Sequence, residues 1–194
     1  MAAAEKDAFA PLWWVAVYSG MRRGELLGLQ WKDVDFDGGA VSVRRSYSRG
    51  ADNKYGIGEP KTTSGRRLVT LPSQVMTRLK AHHLRQMDVR MEAGEYYQDR
   101  GFVFADEVGK PIHPNTLAHH YKKTIGAAGV LMIRIHDMRH GHASDLMGEG
   151  ISPKVVSERL GHSTTAIPMD LYSHVSPGMQ KQVSDLLEKR IGGF

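Results

Sequence analysis

The chain has 194 residues, 41% of them hydrophobic, with 26 lysines and arginines against 21 aspartates and glutamates and a formal net charge of +5. That length supports one well-buried core, the composition argues against wholesale disorder, and no apolar run approaches the roughly 18 residues that span a bilayer. Cysteine is absent, which removes disulfides, thiolate nucleophiles and zinc–thiolate sites together and fits a reducing, cytoplasmic setting.

The N-terminal "MAAAEKDAFA" lacks the basic patch and apolar stretch of a signal peptide. Residues Pro11 to Tyr18 are nearly all apolar and predict a buried helix that ends at Ser19-Gly20. "RRGELLGLQW" predicts a short second helix whose leucines face a core. "VDFDGGAVSVRRSY" has the strand, Asp-Gly-Gly, strand order of a hairpin, and Arg67 to Leu71 predicts a further strand, so this region is expected to form a small sheet. From Ser73 an amphipathic helix runs to Gly94, and "GFVFADEVGKPI" predicts a short strand and turn. Pro114 opens a helix that stops at Gly126 or Gly129. Further helices are expected from Asp137 to about Met147, Pro153 to Leu160, Ile167 to His174 and Met179 to Arg190. The expectation is one α+β domain over residues 1–194, mainly helical with a small antiparallel β-sheet, and part of something longer.

The positive charge is concentrated. Between Arg44 and Arg67 seven basic residues face only Asp52 and Glu59, a local excess equal to the net charge of the whole chain. Such a segment reads as a phosphate-facing surface, because counterion release drives basic patches onto nucleic acid, or more plainly as a solvated basic loop.

"IRIHDMRHGHAS" packs His136, Arg139, His140 and His142 into seven positions. His136 and His140 share a helical face, but no glutamate stands between them as a base, His142 points elsewhere, and Arg139 sets a permanent charge beside any metal cation. A phosphate suits the group better. His136 and Arg139 lie near a helix start, where free N–H groups and the dipole favour an anion that a guanidinium grips with two hydrogen bonds. His140 and His142 are then bystanders. Elsewhere Arg22 follows a glycine break with Glu25 three residues on, Lys61 sits at a hairpin tip, His162 follows a helix-ending glycine, and Tyr172 comes ten residues later. Taken singly these read as a surface arginine, a turn residue, a cap and a core aromatic.

In this order they resemble the tyrosine recombinases of the phage integrase type. The family pattern of arginine, lysine, His-x-x-Arg, a histidine after Leu-Gly, and a tyrosine falls on Arg22, Lys61, His136 with Arg139, His162 and Tyr172. The surrounding "SGMRRGELLGLQWKDVD", "HDMRHGHAS", "LGHS" and "DLYSHV" are similar to integrase text, and the resemblance covers nearly the whole chain. One departure is Pro168, four residues before Tyr172, where the family usually has threonine; it puts the start and mobility of the tyrosine helix in question, not the nucleophile.

The resemblance implies a catalytic domain that lacks the family's core-binding and arm-binding domains, acts as a tetramer on two double-stranded DNA duplexes and is a monomer when isolated. Accessory DNA-bending or directionality proteins are possible partners, and no membrane is involved. Arg22 and Arg139 would clamp the non-bridging phosphate oxygens while His136 and His162 donate further bonds. Tyr172 would attack to give a 3′-phosphotyrosyl link, His136 is the best candidate base, and the family assigns protonation of the 5′-oxygen to the lysine, here Lys61. The link conserves bond energy, so ATP, metal and other cofactors are not expected. Glu25 and Asp137 are either orienters of the arginine and histidine side chains or helix-start acids. Arg44, Arg45, Arg66, Arg67, Lys122 and Lys123 are candidate DNA-backbone contacts. The competing readings are a type IB topoisomerase-like relaxing enzyme, a non-catalytic DNA-binding module of the same fold, and a histidine-metal hydrolase.

Overall fold

The computed structural model describes residues 5, 7–60 and 65–162. Lys61, Pro168, Tyr172 and the last two expected helices lie outside them. Among the described residues no helix is long and apolar enough to cross a membrane.

Helix α1 (Ala10–Ser19) is apolar on almost every side, and Leu12, Trp13, Trp14 and Val15 are all buried. A helix with that pattern belongs at the centre of a fold, and here α2 (Arg23–Leu27), α3 (Ser73–Ala93) and α5 (Ile135–Gly148) pack around it. Leu26, Leu27, Val41, Val69, Val75, Leu79 and Leu117 close the same core. Helix α4 (Pro114–Ala128) begins on proline and ends at the left-handed Gly129.

The expected hairpin is present. Strands β1 (Val34–Asp35), β2 (Ala40–Val43) and β5 (Arg67–Thr70) form an antiparallel sheet in the order β1-β2-β5, with Val41 opposite Val69. The segment between β2 and β5 adds a separate two-stranded ribbon of β3 (Ser46–Arg49) and β4 (Tyr55–Gly58). Its glycines and serines hide the alternation by which strands are recognised. The ribbon lies directly on α2: a Cβ at Gly24 would stand 2.9 Å from the Tyr47 carbonyl oxygen, and one at Gly28 3.1 Å from the Tyr47 nitrogen.

Two expectations need correction. "GFVFADEVGKPI" forms no strand of a sheet, only the isolated pairs Gln30–Phe102 and Ala105–Pro111. Its backbone is satisfied in other ways. Val103 N–H donates to Leu29 O at 2.9 Å, while His82 Nε2–H and Gln86 Nε2 of α3 donate to Val103 O and Phe102 O at 2.7 and 3.1 Å. Helix α5 starts at Ile135 rather than Asp137, because Asp137 is its third residue and reaches back to the Arg134 N–H at 3.0 Å as half of a capping box.

Helix α6 (Pro153–Leu160) packs on α5 and β5 through a smaller cluster in which Ala143, Val156 and Leu160 are buried. It ends at Gly161 with φ 66°, a left-handed turn that glycine adopts without a Cβ penalty. His162 follows directly.

Candidate functional site

The last carbonyls of a helix have no partners within it and carry the negative end of its dipole. At the end of α6 three consecutive carbonyls each accept from a different arginine. Arg67 Nε on β5 donates to Arg159 O at 2.6 Å, Arg139 Nη2 on α5 to Leu160 O at 2.6 Å, and Arg22 Nη2 before α2 to Gly161 O at 3.1 Å. Arg139 is further tied by Nη1 to Gly20 O at 2.8 Å, the carbonyl of the left-handed residue that ends α1.

Glu25, 2% exposed, is the carboxylate of this group. It accepts from Arg22 Nη1 at 2.8 Å, Arg67 Nη2 at 2.9 Å and the Arg22 backbone N–H at 2.9 Å. Burial opposes its ionisation, but the hydrogen bonds and charge of Arg67, then of Arg22, hold it below the usual carboxylate range. Glu25 is therefore both a hydrogen-bond partner of the Arg22 guanidinium and an acid in the first turn of α2.

Burial, and then the charge of Arg22, push the Arg139 guanidinium down to about 9 despite the opposing pull of Glu25. Partial burial, with the charges of Arg139, Arg22 and Arg67, pushes His162 down to about 4, so its imidazole is neutral at pH 7. Its Nδ1 is buried and has no partner among the described residues. His136 is exposed at the first turn of α5, edge-to-face with His140 at 4.9 Å, and is shifted down by partial burial and by His140 and Arg139. A neutral imidazole can accept a proton.

Arg22, Glu25, His136, Arg139 and the expected DNA contact Lys122 line one cavity of about 990 Å³ between α2, the ribbon, α4 and α5. Arg44, Arg45, Arg66 and Arg67 line another of about 720 Å³ beside β2 and β5. Arg44 is exposed, Arg45 is paired with Asp33, exposed Arg66 is paired with Glu59, and Lys122 and Lys123 are exposed on α4.

Arg67 does not fit the expectation of a DNA-backbone contact. Its side chain is 6% exposed and its guanidinium is occupied by Glu25, Gly65 O and Arg159 O. The alternation of β5 was the available signal, since Arg67 is two residues from the buried Val69 and shares its face. Asp137 lines the same cavity as His136 and Arg139, but its carboxylate pairs with Arg134 at 2.9 Å and caps the start of α5, which is the helix-start alternative. His142 packs at Gly20 and accepts from Arg159 Nε at 3.2 Å, while His140 is exposed. Arg159, which also donates to Tyr18 O at 2.8 Å and Thr70 O at 3.1 Å, had no signal in the sequence. Among the described residues no three of His, Asp or Glu are grouped so as to hold a metal ion.

The model of the phage integrase family matches residues 5–179. The chain is 37% identical over 188 residues to a tyrosine recombinase XerC-like protein of Caldanaerobacter subterraneus subsp. tengcongensis, covering 91% of this chain and 47% of that protein. It is 28% identical over 180 residues to the ICEBs1 integrase of Bacillus subtilis, covering 93% and 48%. It thus spans about half the length of these curated relatives. The fold is similar to that of the Tn1549 transposon integrase in complex with circular intermediate DNA, with a TM-score of 0.76 at 21% identity over 96% of this chain and 63% of that one. Sequence and fold agree, and the chain belongs to the phage integrase family.

Proposed function

We propose that this chain is the catalytic domain of a site-specific DNA recombinase that cuts and rejoins strands through Tyr172. The observation that carries the reading is a surplus of positive charge gathered in one place. Arg22, Arg67 and Arg139 converge with Glu25 as their one carboxylate partner among the described residues, and Arg139 is destabilised as a cation by burial and by Arg22. An anion on the free side of Arg22 and Arg139 would relieve that repulsion. The transition state of phosphodiester cleavage gathers more charge on the same oxygens than the ground state does, so the relief grows as the reaction proceeds.

A phenol with a pKa near 10 is phenolate in only about one molecule in a thousand at pH 7. Neutral His136 takes its proton as the Tyr172 oxygen bonds to phosphorus and the bond from phosphorus to the 5′-oxygen breaks. Lys61 gives a proton to that leaving oxygen. Resealing runs the same exchange backwards, with a 5′-hydroxyl displacing the tyrosine. Neutral His162 donates a hydrogen bond to the phosphate without adding charge to a crowded cationic site. Lys122 and Lys123, Arg44 and Arg66 hold the duplex backbone, and the working form is a tetramer on two duplexes completed by DNA-binding segments such as the rest of each relative's length would provide.

The test is covalent trapping on a nicked suicide substrate in excess chelator. Wild type is expected to form an adduct and Tyr172→Phe none; adducts that persisted in Tyr172→Phe would refute the assignment. Relaxation of plasmid DNA without a partner site would favour the topoisomerase-like reading.

A further inference from the structure

We infer that Arg67 is a positioning residue for this chemistry: it locks the last turn of α6 to Glu25 and thereby sets the places of Arg22 and His162. The inference rests on the recombinase reading above. Arg67 commits four of its five guanidinium N–H groups to protein acceptors, with Nε on Arg159 O, Nη1 on Gly65 O and Glu25, and Nη2 on Glu25. It is the residue that joins β5, α2 and α6 at this point. Glu25 in turn holds Arg22 at the backbone and at the side chain, and the helix end that Arg67 grips is the one whose next carbonyls hold Arg139 and Arg22 and whose chain continues into His162.

The arrangement also answers an electrostatic need. Three guanidiniums this close repel one another, and Arg22 and Arg67 both bear on Arg139. Converging carbonyl dipoles and one carboxylate offset that repulsion. The Arg67 side chain is 6% exposed and its hydrogen bonds run to Glu25, Gly65 O and Arg159 O, so it acts on the phosphate through the groups it holds. Lysine retains the charge but has no planar fork, so it can keep at most part of this network. Misplacing reacting groups by about 1 Å costs on the order of 100-fold in rate, and losing a group that orients a reacting one typically costs roughly 10–100-fold.

The experiment compares wild type, Arg67→Lys and Arg67→Gln on a suicide substrate, with thermal melts to establish that each variant is folded. The single-turnover cleavage rate at saturating DNA is expected to fall about 10–100-fold, with DNA affinity and its salt dependence unchanged. Combined with Glu25→Gln, Arg67→Gln is expected to cost much less than it does alone, because the route through Glu25 is already cut. An unchanged saturating rate, with weaker binding and a salt slope smaller by about one, would instead place Arg67 on the DNA backbone and overturn the inference. Fully multiplicative effects would overturn the route through Glu25. If Arg67→Gln does not fold, Arg67→Lys decides the matter. Wild-type cleavage by Arg67→Lys, with adducts still dependent on Tyr172, would sink this inference alone; adducts in Tyr172→Phe would sink the recombinase reading itself.

Discussion

Gly20→Ala tests whether the junction between α1, α5 and α6 is as tight as its geometry states. Gly20 has φ 61° and ψ 20°, and its carbonyl receives Arg139 Nη1. An added methyl would stand 2.5 Å from Leu160 Cδ2 and 2.7 Å from His142 Cδ2. Leu160 is fully buried, so it has little room to withdraw. A left-handed conformation costs a non-glycine residue about 1–2 kcal/mol, and overfilling a packed site costs about 1–3 kcal/mol. The expected loss is therefore about 2–5 kcal/mol, a large share of the 5–15 kcal/mol typical of a domain. Urea unfolding followed through the buried Trp13 and Trp14 measures it. Gly141→Ala is the control: it lies within α5, exposed, with nothing within 4 Å of the added carbon, and should gain about 0.5–1 kcal/mol from helix propensity. A Gly20→Ala protein within about 0.5 kcal/mol of wild type, or equal losses at both sites, would refute the packing argument.

Stability should fall as pH falls from about 6.5 towards 4. The folded protein keeps His162 neutral to about 4, whereas the unfolded chain takes up that proton from its ordinary value of 6.5 downward, so proton uptake favours unfolding. His82, His136 and His142 are shifted the same way, chiefly by burial, and Glu25, held low in the folded state, adds a loss at the acid end. Urea midpoints at pH 7, 6 and 5 check this, and midpoints that rose on acidification would contradict it. Asp137→Ala removes the acceptor for the Arg134 N–H; we expect a lower Tm with single-turnover DNA cleavage within about threefold of wild type. A 100-fold slower reaction would show that Asp137 orients a reacting group after all.

Much of the fold was visible in short stretches. The all-apolar run from Pro11, Gly20 as its stop, the Asp-Gly-Gly hairpin and the Pro153–Leu160 helix depend on neighbours a few residues apart, and the structure forms each of them. The ribbon β3–β4 was not visible, because its position is set by contact with Gly24 and Gly28 of α2 rather than by its own periodicity. "GFVF" was misread as a strand because a continuous apolar run does not reveal whether another strand or side chains such as His82 and Gln86 will satisfy its backbone.

Family membership followed from the sequence alone, since the order and spacing of the charged and aromatic residues are properties of the chain as written. The fate of each charge was not. A basic segment shows where arginines are dense, but Arg44 and Arg67 look alike until burial separates an exposed cation from one sealed against Glu25. The partners that decide this are the carbonyls at the end of α6, which lie 139, 92 and 21 positions away from Arg22, Arg67 and Arg139. A hydrogen bond over such a separation exists only once the core has closed and brought the helix end to the arginines, so only the tertiary structure could assign them.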